Sequence, residues 1–74
     1  MPGLPGGAQQ AFERLAAAAA DPDMPEFTFQ HFGLIERQAD RDPGVWERAA
    51  AALERRQGAP GWVEALLAEL GLTA

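Results

Sequence analysis

Proline and glycine divide this chain into four stretches, and each stretch has the residue pattern of a helix. The two most regular stretches open on Pro-Gly, at Pro43-Gly44 and Pro60-Gly61, and each places a tryptophan near its start, Trp46 and Trp62. Asp42 suits an N-cap and Pro43 a first helical position, where the missing N–H needs no partner. Trp46, Ala49, Ala50 and Leu53 then recur at helical spacing. Arg55 and Arg56 occupy the last turn, where cations complement the helix dipole, and Gly58 fits the left-handed C′ position. Pro60 reopens a helix whose apolar face is Trp62, Val63, Leu66, Leu67 and Leu70. Gly71 fits C′ and Leu72 fits C″, which predicts a Schellman ending in which Leu72 returns to Leu67.

The front half follows the same logic. Met1–Gly7 holds two Pro and three Gly and is expected to be a disordered leader, residues 1–7. Ala8–Ala20 is the strongest local helix former; its larger apolar residues are Phe12 and Leu15, with Ala16 and Ala19 extending that face. Pro22 and Pro25 end it. Thr28 is an N-cap candidate, with Phe29–Ala39 as the second helix; a short extended entry at Glu26–Phe29 is the alternative. Gly33 inside that helix costs up to about 1 kcal/mol against Ala, so it marks close packing or a kink. The expectation is an all-α fold: one domain over residues 8–74, a compact bundle of four helices. Its core is Phe12, Leu15, Phe29, Phe32, Ile35, Leu53, Trp62, Leu66, Leu67 and Leu70. Trp62 is read as a core anchor. Trp46, whose helix is otherwise faced with alanine, is read as a partly exposed contact residue.

Composition narrows the function. Six Arg, no Lys and eleven acids give a net charge of −5. Nucleic-acid binding needs a basic face, so this balance argues against it, and against an anionic membrane surface. The four-residue breaker Gly58–Gly61 further disfavours a helix-turn-helix DNA reader. There is no cysteine, no apolar run of about 18 residues and no secretory signal pattern, so the setting expected is cytoplasmic. Thr28 and Thr73 are the sole hydroxyls and His31 the sole histidine, an inventory that offers no nucleophile with its base. Asp21 and Asp23 lack the further oxygen ligands of a calcium loop. No enzyme activity, metal or cofactor is expected; the function expected is binding of a protein, with the chain itself among the candidates.

Gly61-Trp62-Val63-Glu64 followed by Leu66-Leu67-Ala68-Glu69-Leu70 resembles the GW helix of caspase-recruitment domains, nearest to those of the antiviral RNA-sensing helicases and their mitochondrial signalling adaptor. Leu53-Glu54-Arg55-Arg56 is similar to the end of the preceding helix in the adaptor. Gln10-Ala11-Phe12 and Asp21-Pro22 look like the first helix and its exit in the helicases. The stretch between Asp21 and Phe32 is too short for a full second helix of that kind, so the resemblance implies a shortened death-fold. It implies a non-enzymatic, homotypic signalling adaptor that stacks into homo-oligomers through charged and apolar patches. The protein-binding candidates are Trp46, Arg55, Arg56, Glu13 and Glu47, with Arg37, Arg41, Asp40 and Glu54 adding to the two-signed surface. The alternative is a small helical adaptor or regulatory subunit binding one protein partner; abundant Ala, Gly and Arg without Lys point to a GC-rich bacterial source for it.

Overall fold

The computed structural model describes residues 6–72 and contains α1 (Gly6–Ala20), α2 (Phe29–Ala39), α3 (Val45–Arg56) and α4 (Trp62–Glu69). The all-α bundle of four helices expected from the breakers is the architecture found. Helix α1 begins two residues early: Gly6 and Gly7 belong to it, while Met1–Pro5 of the expected leader lie outside the described residues. Glu47 explains why glycine suits this first turn. Its Oε2 lies 2.5 Å from where a β-carbon on Gly7 would stand, so a carboxylate rests against the positive end of the α1 dipole.

Thr28 caps α2 in extended geometry, with φ −112° and ψ 171°. Its N–H donates to His31 Nδ1 at 3.0 Å, the half of a capping box that Glu or Gln usually supplies. That acceptor role requires an unprotonated Nδ1. The approach to the cap is a turn rather than an extended segment, since the Phe27 N–H donates to the Met24 carbonyl at 3.2 Å. Helix α3 starts two residues after the expected Pro43, with Gly44 in the cap position. The Asp42 carbonyl accepts the Val45 N–H at 3.0 Å, and its carboxylate reaches forward to Arg48 at 2.6 Å.

Pro60 lies in a turn and not in α4. The Trp62 N–H donates to the Ala59 carbonyl at 3.2 Å across Pro60-Gly61, and Gly61 supplies the φ of +67° that closes this corner. The Schellman ending is present: Leu72 N–H to Leu67 carbonyl at 2.8 Å, Gly71 N–H to Ala68 carbonyl at 3.0 Å, and Gly71 at φ +74°.

Helix α3 packs against all three others, whereas α4 packs against no helix but α3. The Arg14–Glu54 ion pair and the Glu47–Gly7 contact, seven residues apart on each helix, run α1 and α3 in the same direction. Val45, Trp46, Ala49, Ala52 and Leu53 are buried and, with half-buried Ala50, span about 160° of α3 at about 100° per residue. Ala49 and Ala52 are fully enclosed, and their small side chains admit neighbouring backbones closely.

Leu15, Ile35, Leu53, Trp62, Leu66, Leu67 and Leu70 are buried as expected, while Phe12 and Phe32 are half-buried at the edge of the core. Two assignments are corrected. Phe29 is 60% exposed, and Phe27, at 1%, takes the inner place instead. Phe29 opens α2 about 120° around the helix from buried Ile35, while Phe27 precedes the cap and is turned inward by the loop. Trp46 is 3% exposed and is not the partly open contact residue inferred from its alanine-rich helix. Phe12 at 4.9 Å and Phe32 at 5.4 Å, contributed by other helices, cover it.

Trp46→Ala is therefore expected to cost about 3–5 kcal/mol, comparable to Trp62→Ala. Urea denaturation measures this. Trp46 emission in a Trp62→Phe background is expected to be blue-shifted and shielded from quenchers.

Candidate functional site

The five residues singled out from sequence do not converge. Arg55 and Arg56, at the end of α3, both clasp Glu69 of α4; the Arg56 Nε to Glu69 Oε1 distance is 2.9 Å. Two guanidinium groups on one carboxylate hold Glu69 below the usual carboxylate range, and they spend on the α3–α4 junction the charge expected to meet a partner. Glu13 is exposed on α1 and accepts from Gln9 Nε2 at 2.9 Å, one turn back. Glu47 serves the first turn of α1, and Trp46 is enclosed.

Between α1 and α3 runs an open groove of about 320 Å³ with a floor of Ala11, Ala50 and Ala51. Gln10, Glu47 and the Arg14–Glu54 pair stand at its rim. It offers no nucleophile and no convergent set of donors. Asp21 and Asp23 form a turn, the Asp21 Oδ1 accepting the Asp23 N–H at 2.8 Å. Among the described residues no three His, Asp or Glu side chains gather as metal ligands, and no helix is long and apolar enough to cross a membrane.

Two aromatic assemblies, largely enclosed, tie the helices together instead. In the first, His31, Phe27 and Trp62 stack with centroid separations of 5.8 and 6.0 Å. The Trp62 Nε1–H donates to Glu26 Oε2 at 2.9 Å, which lowers the Glu26 carboxyl pKa. This column fastens the α1–α2 loop to the start of α4, which touches neither α1 nor α2 as helices.

The second assembly is the candidate site. Phe12, Phe32 and Trp46 meet at 4.9–5.4 Å, joining α1, α2 and α3. Phe29 lies edge-on to Phe32 at 6.2 Å. Among the described residues Phe29 is the one large hydrophobic side chain left exposed. Beyond it the outward side of α2 carries Gln30, Gly33, Glu36 and Arg37. This face was missed from sequence because Phe29 was assigned to the core. The available signal was its position, which the helical period sets apart from Ile35.

Compared with protein families, with curated proteins and with solved structures, the chain matches none.

The ion pairs and the indole bond make stability pH-dependent. Glu26 is lowered by the Trp62 indole, Asp42 by Arg48, and Glu69 by Arg55 and Arg56. A lowered folded value means that each contribution is complete above the ordinary value, 4.5 for Glu and 3.8 for Asp. Each is lost as pH falls through the folded value. Thermal melts are thus expected to show these three contributions as a midpoint that falls below about pH 4.5. Glu26→Gln should flatten part of that fall.

Proposed function

We propose that this chain is a non-enzymatic protein–protein interaction module of homotypic type. The observation that carries the reading is Phe29, left 60% exposed beside the Phe12–Phe32–Trp46 cluster in a chain small enough to need its apolar surface inside. The Phe29 ring, packed edge-on against Phe32, offers a partner apolar area to cover. The resemblance over Gln10–Leu72 to caspase-recruitment domains supports the homotypic form, and a death-fold signalling adaptor in the cytoplasm is the specific version of it. The absence of Cys and Ser in the sequence, with Thr28 and Thr73 the sole hydroxyls, supports a non-catalytic role.

One observation favours a second reading, a regulatory subunit with a single protein partner. Arg55 and Arg56 are occupied by Glu69, so the basic face needed for open head-to-tail stacking is largely spent within the monomer. Sedimentation velocity across a concentration series separates the two. The homotypic module gives a mean mass that rises with concentration. A strictly monomeric chain at about 1 mM, a concentration at which even weak pairing registers, overturns it in favour of the regulatory subunit.

A further inference from the structure

The outward side of α2 holds two features that the monomer does not use. Phe29 is exposed, and Gly33, one turn later on the same side, weakens the helix with no packing return. No atom comes within 4 Å of the place a Gly33 β-carbon would take. The close packing expected at this glycine is absent within the chain: the residue is half-buried, but the place of its missing side chain is empty. Arg37, a turn further on, is exposed and, like Arg41 beyond the end of the helix, makes no ion pair among the described residues, whereas Arg14, Arg48, Arg55 and Arg56 all do.

Phe29, Gly33 and Arg37 form one ridge at i, i+4 and i+8. Exposed Gln30 and Glu36 flank the ridge on opposite sides, three residues before and three after Gly33. Opposed chemistries thus stand at equal distances from a gap. We propose that α2 pairs antiparallel with α2 of a second copy of this chain, the two helices crossing at Gly33 on a two-fold axis. Phe29 then lies over the second copy's Arg37, a cation–π contact, and the same contact forms on the other side of the axis. The two-fold keeps each flank on its own side, so Gln30 faces the second copy's Gln30 and Glu36 faces the second copy's Glu36, a like-charge contact that adds to the mutual repulsion of the two copies. Gly33 against Gly33 lets the backbones approach, and two i±4 ridges meet in the commonest packing class for helices.

The pairing rests on the homotypic reading and names its geometry. It uses one face twice, so it closes at the dimer, unlike the open stacks that the resemblance implies. One face of an 11-residue helix buries less than a stable interface needs, so the dimer is weak. Each copy carries −5, and mutual repulsion opposes pairing. Association therefore strengthens as ionic strength rises from about 10 to about 150 mM, the reverse of assembly driven by Arg55 and Arg56.

The test is sedimentation equilibrium on the full chain with Gly33→Leu, Phe29→Ala and Arg37→Glu. Leu fits the open space at position 33 and favours helix, so Gly33→Leu should keep or raise the melting temperature while weakening association at least tenfold. The other two should weaken it severalfold at unchanged helicity. Because the chain has no cysteine, Gly33→Cys provides a single probe on the axis. It should oxidise to a disulfide dimer much faster than Ala17→Cys, placed on an exposed position of α1. Wild-type association that survives Gly33→Leu, grows beyond the dimer, or cross-links equally through position 17 overturns the α2 pairing and leaves the homotypic module standing. A wild-type monomer at about 1 mM and about 150 mM salt overturns both.

Discussion

The fold depends on how much of α3 the other segments cover. A helix that packs against three others must offer a wide apolar arc, and a 74-residue chain has few large side chains to fill it. Ala49 and Ala52, both fully enclosed, ease that conflict, because small side chains let a neighbouring helix approach without demanding volume. The larger residues of α3 stand at its margins: Val45 and Trp46 at the start, where Phe12 and Phe32 close over the indole, and Leu53 toward the end. Alanine in this chain is more than propensity filler. Outside α3 it also lines the buried side of α1 at Ala8, Ala11 and Ala18.

Attachment to α3 alone would leave α4 poorly fixed, since eight residues are too few for a stable independent helix. Three kinds of contact hold it. The Schellman ending satisfies its last carbonyls, Arg55 and Arg56 grip Glu69, and Trp62 reaches the Phe27 ring and the Glu26 carboxylate in the α1–α2 loop. The last contact joins residues 36 apart in sequence. His31 extends the same column and caps α2, so loop, cap and α4 share one set of rings.

Features set by near neighbours in sequence could be read directly. Thr28 before Phe29 and Gly71 after Leu70 each fix a helix end through contacts a few residues away, whereas the Pro-Gly pairs mark the breaks but each helix begins at the residue after the pair, at Val45 and Trp62. Features set between helices could not. Phe27 and Phe29 have the same composition and nearly the same place in the chain, and what turns one inward is the path of the loop against Trp62. Trp46 looked exposed because its own helix offers alanine, yet its cover comes from α1 and α2. Arg55 and Arg56 looked available because their partner, Glu69, lies on the next helix and not at i±4. The candidate site was legible in part: the helical period already sets Phe29 apart from Ile35, but that Phe27 takes the inner place depends on the path of the loop.

The central claim is that α3 is the element on which every other helix rests, and native-state hydrogen exchange measures this most directly. If the claim holds, amides from Ala49 to Leu53 exchange only through global unfolding, and those of α1, α2 and α4 open at lower free energies. Amides of α1 outlasting those of α3, or α3 opening while the remaining helices stay protected, would contradict it.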